Sequence, residues 1–384
     1  MNPSPHRFTP QGSPALEQHL HQVCGQVRDG VCRLVPGSTR LGLLLGGGYG
    51  RGEGGVLVTP EGDRPYNDLE FYLIVPGNGL LTERRYKPAL HHLGEELTPA
   101  AGIEVEFKIL GIERLRQRGP SMFTYDLVLG HHWLLGDDSL LAGCEAHRDA
   151  SQIPLAEATR LLMNRCSGLL FSARRLSRSD FTSDDADFIG RNLAKAQLAL
   201  GDAVLTALGL YHWSCRERHR RLVALPHSDL PVAPNLIAAH AAGVEFKFHP
   251  VRSSESRADL SLRHRILAAS AAQVWLWIEA RRLGISHADP VGYALHPADK
   301  CPETAAWRNR LVNARAFGPA IALSPSGARH PRERLLRAVS LLLWSPAALT
   351  DPAQHSALRR WLRAEPDSMA GWIDAYQGFW TRFQ

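Results

Sequence analysis

Two carboxylates and a cluster of glycines are the residues with the clearest potential for chemistry. Asp68 and Glu70 stand two residues apart at the head of an apolar run that ends at Val75, so in a β-strand both side chains point to one face. Six glycines between residues 46 and 54 form a turn whose backbone N–H groups can approach a ligand and hold phosphate oxygens. Because Mg²⁺ prefers a few carboxylates together with substrate phosphates, this combination favours a site for a divalent cation.

The surrounding sequence predicts the elements that would hold these groups. The short apolar run over residues 41–45 predicts a buried strand before the glycines, and the proline-rich stretch over residues 60–65 predicts a turn after them. Apolar residues alternate strictly over residues 103–109, which predicts a strand whose other face carries Glu104, Glu106 and Lys108. Amphipathic helices are predicted over residues 14–34 and 84–97.

The order of strand, Gly47-Gly48 turn and Asp68-x-Glu70 strand resembles the nucleotidyltransferase superfamily, which includes DNA polymerase β, kanamycin nucleotidyltransferase and the glutamine synthetase adenylyltransferase domains. The stretches 48–53 and 67–70 are most similar to the adenylyltransferase version. The resemblance covers about 45 of the 384 residues. Gly48 stands where a serine is usual, so one hydroxyl contact to phosphate is missing, and Glu70 stands where aspartate is commoner.

The resemblance implies a third carboxylate on the strand after the Asp-x-Glu strand. We assign it to Glu106, because Val-Glu-Phe-Lys-Ile is similar to the corresponding strand of the family, and keep Glu104 as the alternative. Asp68, Glu70 and Glu106 would then be catalytic and would bind two Mg²⁺ ions, with Mn²⁺ as a substitute, and Glu106 could also accept a proton from the acceptor. The expected nucleotide contacts come from the glycine turn and from two cations, namely Gly47, Gly48, Tyr49, Arg51 and Lys195.

The implied activity is transfer of a nucleoside monophosphate from a nucleoside triphosphate, with ATP favoured, to a hydroxyl of a small molecule or protein, releasing pyrophosphate. An RNA nucleotide-adding enzyme and a non-catalytic nucleotide-binding regulatory module are the alternatives. A net charge of +6 is small for 384 residues, which favours a small molecule or protein over RNA as acceptor. A dinucleotide-binding loop is disfavoured, because Pro60 prevents a long helix from following the glycines.

The predicted fold class is α+β, with a small mixed-sheet nucleotidyltransferase domain followed by a mainly α-helical domain. We expect a disordered lead-in over residues 1–13, the catalytic domain over 14–150 and the helical domain over 151–384, which would cover the acceptor or nucleotide. Long helices are predicted over 155–176 and 184–208.

Prolines break the pattern over residues 226–256, where the helical domain could be subdivided. Within that stretch, residues 244–247 repeat the Val-Glu-Phe-Lys of residues 105–108, and we treat this match as coincidence because four residues are too few for a repeat.

Several absences favour a cytoplasmic protein without a membrane partner. No apolar run reaches the ~18–20 residues that span a bilayer, and the N-terminus lacks the apolar segment of a secretory signal. The six cysteines form no C-x-x-C pair, so we expect reduced thiols rather than a disulfide framework or zinc site.

Overall fold

The computed structural model describes residues 6–345 and 347–384, in which helices predominate and one small mixed sheet gives an α+β fold. Up to the end of the sheet, the helices and strands in chain order are α1 (Pro14–Leu34), β1 (Gly42–Leu45), α2 (Gly47–Gly50), β2 (Val56–Thr59), β3 (Gly62–Pro65), β4 (Leu69–Val75), α3 (Leu80–Ala101), β5 (Val105–Gly111), α4 (Ile112–Gln117), α5 (Met122–Leu129) and β6 (His132–Leu135). The helices that follow are α6 (Leu155–Leu176), α7 (Ser183–Ala207), α8 (Cys215–Val223), α9 (Ala233–Phe248), α10 (Arg257–Leu283), α11 (Pro290–Leu295), α12 (Ala306–Phe317), α13 (Pro319–Leu323), α14 (Arg332–Trp344), α15 (Pro352–Leu362) and α16 (Met369–Phe383).

The chain forms two compact units, and the first of them is discontinuous. It contains the chain up to Pro154 together with Leu208–Ala224 and Ala241–Val251. The second contains Leu155–Ala207, Leu225–His240 and Arg252–Gln384. The break after Pro154 lies close to the boundary expected at 150/151, but the two later segments were expected in the helical domain and belong to the first unit.

The sheet of the first unit has the strand order β5-β4-β1-β6. β4 and β5 are parallel, whereas β1 is antiparallel to both of its neighbours. β2 and β3 form a separate antiparallel hairpin, so residues 60–65 are not all turn: the reversal is at Pro60 and Glu61, and Pro65 pairs with Val56. A proline is tolerated there because the hairpin leaves that strand without a second neighbour.

Local signals set the helices of the first unit. α1 begins after Ser13, whose side chain accepts a hydrogen bond from the Leu16 amide, and its buried residues recur at helical spacing, so it has the bounds that the sequence predicts. α3 is longer than its predicted 84–97, because its limits are two glycines with positive φ, Gly79 (77°) and Gly102 (73°).

Residues 6–13 are packed, so the prediction of a disordered lead-in is wrong for them, and residues 1–5 lie outside the described residues. Phe8 is fully buried in the core that contains α1 and the sheet. The amides of Phe8 and Thr9 donate to the Glu17 carboxylate at 2.8 and 3.0 Å. Burial of Phe8 and these hydrogen bonds offset the conformational entropy that the segment loses when it is ordered. The polar composition had suggested that this loss would keep the segment disordered.

The second unit is helical. α6 and α7 pack against each other and against α10. α6 has the predicted bounds, and α7 differs from its prediction by one residue at each end. Residues 226–256, where prolines were expected to interrupt the helical pattern, contain helix α9. Pro234 is in its first turn and Pro250 follows its end, and at these positions a proline removes no helical hydrogen bond. Among residues 6–345 and 347–384, every helix is too short or too polar to span a bilayer.

Candidate metal and phosphate site

Three carboxylates converge on one face of the sheet. Glu70 on β4 and Glu106 on β5 are directly paired in the parallel register, so their side chains point the same way. Asp68 immediately precedes β4, and one oxygen from each of these three residues lies within 4.8 Å of the others. Glu104 is exposed and precedes β5, outside the triad. The triad therefore consists of the three acids predicted from sequence, and it could hold a metal ion.

The triad concentrates negative charge, and Lys108 partly neutralises it. Lys108 Nζ lies 2.5 Å from Glu70 Oε1 and 3.2 Å from Glu106 Oε2. Although burial lowers the pKa of Lys108, its hydrogen bond to Glu70 raises it, and the net pKa lies above the usual range. The pKa of Asp68 is raised by loss of solvent and then by the Glu70 charge. The site thus already contains a cation between two of its acids.

The glycine turn lies directly against the triad. The Gly46 amide donates to the backbone oxygen of Glu70 at 2.9 Å, which fixes the end of β1 beside the start of β4. Gly47 has φ +61°, and a Cβ at this position would lie 2.7 Å from Glu70 Oε2. Gly47 and Gly48 begin α2, where N–H groups have no intrahelical acceptor. Glycine at 47 is therefore required for both the backbone conformation and the close approach of the Glu70 carboxylate.

A lysine far away in the sequence reaches the same turn. Lys247 Nζ lies 2.9 Å from the place that a Cβ of Gly48 would take, and the Lys247 backbone oxygen is equally close to the Cβ position of Gly55. Within the described part of the chain, this ammonium forms no hydrogen bond and no ion pair. Burial lowers the pKa of Lys247, and the nearby Arg51 charge lowers it further.

Sequence analysis missed Lys247. Its only signal was the Val-Glu-Phe-Lys match over residues 244–247, which we treated as coincidence. Lys247 lies in the part of α9 that belongs to the first unit, about 200 positions after the turn. No local sequence pattern predicts its contact with Gly48.

The Tyr49 side chain is buried and stabilises the glycine turn. Its side chain is 1% exposed, and burial raises its pKa to about 12. The hydroxyl donates to the Gly55 oxygen and accepts from the Tyr66 amide, both at 2.9 Å. Both hydrogen bonds of the Tyr49 hydroxyl thus hold the loop, and the assignment of Tyr49 to nucleotide binding stays a prediction.

Arg51 is likewise committed to an internal network. Its Nη1 lies 3.0 Å from Asp126 Oδ2, and its Nε lies 3.6 Å from Glu53 Oε2. Glu53 also accepts hydrogen bonds from Ser214 Oγ at 2.7 Å and the Cys215 amide at 3.0 Å. Arg51 thus connects the turn to α5, while Glu53 connects it to the start of α8. The assignment of Arg51 to triphosphate binding stays a prediction.

The remaining predicted contact, Lys195, lies on α7 in the second unit and is exposed. Its assignment to nucleotide binding stays a prediction.

No family model, no curated protein and no solved structure matches this chain.

Proposed function

We propose that the protein is a metal-dependent nucleotidyltransferase, which moves a nucleoside monophosphate from a nucleoside triphosphate, with ATP favoured, to a hydroxyl of a small molecule or protein and releases pyrophosphate. One observation carries the proposal: three carboxylate oxygens within 4.8 Å of one another lie beside a glycine turn whose Gly47 touches one of those acids. Acid clusters alone are common, but a carboxylate triad against turn amides that have no acceptor within their own helix suits a metal–triphosphate complex.

The donor set fits hard divalent cations. Asp68, Glu70 and Glu106 offer only oxygen, which suits Mg²⁺ or Mn²⁺. When bound between these residues, such ions would supply charge neutralisation on the triphosphate and a lower pKa of the acceptor hydroxyl. The position of Lys108 between Glu70 and Glu106 supports this reading, because it marks the place as one that attracts positive charge.

The turn and Lys247 would bind the phosphates. The amides of Gly47 and Gly48 provide donors at the mouth of the triad, and the Lys247 ammonium stands where a side chain at position 48 would otherwise be. In this proposal Lys247 compensates for the hydroxyl that Gly48 lacks, and it takes the role expected of Arg51.

The test uses matched glutamine variants of neighbouring acids. Purified protein is incubated with Mg²⁺ or Mn²⁺, each α-phosphate-labelled nucleoside triphosphate and an extract of the expression host, and label transfer and pyrophosphate release are measured. We expect transfer by the wild type and by Glu104→Gln, and none by Glu106→Gln or Asp68→Asn, with circular dichroism showing that all variants are folded. The Glu104 variant removes the same charge two positions away, so it controls for general electrostatics.

Two results would contradict the proposal. One is the absence of both label transfer and nucleotide binding with every triphosphate. The other is equal activity of the Glu104 and Glu106 variants, since the triad would then have no distinct role.

Phosphate binding is tested separately with a non-hydrolysable ATP analogue and Mn²⁺. Lys247→Met should weaken its binding about 10- to 150-fold, because a charge-assisted contact contributes about 1.5–3 kcal/mol. Lys195→Met is the comparison: a larger loss with Lys195 than with Lys247 would favour the sequence-based assignment.

A second candidate is a nucleotide-binding module without catalysis, and one observation favours it. Lys108 already pairs with Glu70 and Glu106, so the acids are neutralised in part without a metal. Such a module would bind the ATP analogue equally well with and without Mn²⁺, and Asp68→Asn would not weaken it. The enzyme proposal requires the opposite result in both measurements.

A further inference from the structure

A cavity in the second unit is lined by arginines and apolar side chains. It has a volume of about 470 Å³, within the range of small-molecule sites. Helices α11, α14 and α15 and the segment before α14 contribute its wall. The charged residues of that wall are Arg329, Glu333, Arg334, Arg337 and Arg360.

Three of these charged residues form a closed network. Arg337 donates to Glu333 Oε1 and to three backbone oxygens. Arg329 donates to the same Glu333 oxygen at 2.9 Å and to the backbone oxygen of Pro297 at 2.7 Å. The other carboxylate oxygen of Glu333 is fully buried, so a ligand in the cavity does not reach it. This network stabilises the wall and leaves ligand binding to other side chains.

Arg334 and Arg360 retain hydrogen-bond donors for a ligand. Nη1 of Arg334 lies 3.4 Å from the backbone oxygen of Trp361, which places this guanidinium beside the residue that follows Arg360. Nε and Nη2 of Arg334 make no hydrogen bond to the described residues, and neither atom is fully buried. Arg360 is exposed at the cavity rim and has neither a hydrogen bond nor an ion pair within the described chain. Two guanidinium groups that lack an acid partner in this part of the structure therefore line one cavity.

His330 adds a neutral donor to the wall. Burial and the neighbouring Arg332 lower the pKa of His330 to about 4, so the ring is neutral at pH 7. The Arg332 amide donates to Nδ1 at 3.1 Å, so the single ring proton is on Nε2. Nε2 is not fully buried, and it has no acceptor among residues 6–345 and 347–384. With this histidine neutral, the four arginines leave three positive charges in excess of Glu333.

The available polar groups are donors, and they suit an anion with several acceptor oxygens. A phosphate monoester has a charge of about −1.5 to −2 at pH 7 and three strongly accepting oxygens. Two guanidinium groups can each bind a pair of these oxygens, whereas a carboxylate has one charge and two oxygens in one plane. The charge and the number of donors of Arg334 and Arg360 therefore match a phosphate better than a carboxylate.

We propose that this cavity binds a small phosphate monoester with an aromatic body. Its phosphate would pair with Arg334 and Arg360 and would accept a hydrogen bond from His330 Nε2. Its ring would contact Leu295 and Trp361, which contribute apolar surface to the same wall. The donors named here are not fully buried, so binding requires no rearrangement of the buried network. The site lies in the second unit, and the assignment is independent of nucleotidyl transfer by the acid triad.

The test compares four probes on the full-length wild-type protein by isothermal titration calorimetry, without divalent cations. Phenyl phosphate carries the dianion and the ring, phenyl sulfate has the same shape with one charge, benzoate has a planar anion, and inorganic phosphate lacks the ring. We expect phenyl phosphate to bind at least tenfold more tightly than each of the others. No binding of phenyl phosphate at millimolar concentration, or equally tight binding of any other probe, would overturn the proposal.

A pair of adjacent arginines locates the site. Arg360→Gln should weaken phenyl phosphate binding at least tenfold, whereas Arg359→Gln should leave it unchanged, because Arg359 pairs with Glu365 at 2.9 Å and does not line the cavity. Both arginines are exposed, so both variants should keep the wild-type melting temperature without ligand. Equal weakening by the two variants would show nonspecific charge attraction and would refute the assignment. Binding that is lost in Lys247→Met but kept in Arg360→Gln would place the probe at the glycine turn and would refute it as well.

Discussion

Removal of the Lys108 charge should strengthen metal binding at the triad. Lys108 Nζ contacts both Glu70 and Glu106, so a divalent cation that uses these oxygens must displace it. The Lys108→Met variant keeps the length and apolar stem of the side chain but removes the competing ammonium. The change tests whether the lysine and the metal share one place.

The expected gain in Mn²⁺ affinity follows from the two ion pairs of Lys108. The Lys108 side chain is 42% exposed, so each pair is screened by solvent and contributes roughly 0.2–1 kcal/mol. A metal ion that displaces Lys108 breaks both ion pairs, which makes its binding free energy less favourable by about 0.4–2 kcal/mol. Because about 1.4 kcal/mol is a factor of ten in affinity, Lys108→Met should bind Mn²⁺ roughly 2- to 30-fold more tightly than the wild type.

The assay is a Mn²⁺ titration followed by electron paramagnetic resonance, without nucleotide. Lys87→Met is the matched control, because Lys87 belongs to the same unit, is 69% exposed and pairs with Glu83 on α3 instead of with the triad. It changes the net charge equally, so any difference between the two variants is local. Mn²⁺ affinity of Lys108→Met equal to or below that of Lys87→Met would refute the shared position.

Three further predictions concern the turn and its surroundings. Gly47→Ala should lower the free energy of unfolding by about 1–2 kcal/mol and weaken Mn²⁺ binding, because residue 47 has positive φ and a Cβ would contact the Glu70 carboxylate of the triad. Urea unfolding and Mn²⁺ titration measure the two effects. The control is Gly37→Ala, which should change neither quantity because a Cβ at residue 37 meets nothing within 4 Å. Arg51→Met should lower the free energy of unfolding by about 3–5 kcal/mol because it removes the cation that pairs with the buried Glu53 and the half-buried Asp126. The affinity of the remaining folded protein for the ATP analogue should stay unchanged, and lost affinity with normal stability would support a role for Arg51 as a phosphate ligand. Burial lowers the pKa of His132 to about 4. As the pH falls, the unfolded chain therefore binds a proton at this histidine near pH 6.5, whereas the folded chain binds it only near pH 4. The free energy of unfolding should decrease between these two pH values, by at most about 1.4 kcal/mol per pH unit. His132→Gln should therefore show a flatter stability profile between pH 6.5 and 4 than the exposed-histidine control His91→Gln, and identical profiles would show that His132 is not the group responsible.

The sequence alone was sufficient for features that depend on neighbouring residues. α1 and α6 have the predicted bounds, because helical spacing of apolar residues and capping groups act within a few positions. The acid triad was predicted in two steps: strand alternation places Asp68 with Glu70 and Glu104 with Glu106, and the family resemblance then favoured Glu106 over Glu104. The parallel pairing of Glu70 with Glu106, which brings the acids together, is seen only in the structure.

The tertiary structure alone decided which cations and aromatic groups serve the turn. Tyr49 and Arg51 lie within the glycine motif, yet burial and long-range partners such as Asp126 commit them to holding the loop. Lys247 reaches Gly48 from a helix about 200 residues later, and the segment that carries it belongs to the first unit although the residues just before and after it belong to the second. Local sequence patterns record the conformation of a segment, whereas the partner of a side chain depends on which distant segment packs beside it, and that is fixed only when the whole unit folds.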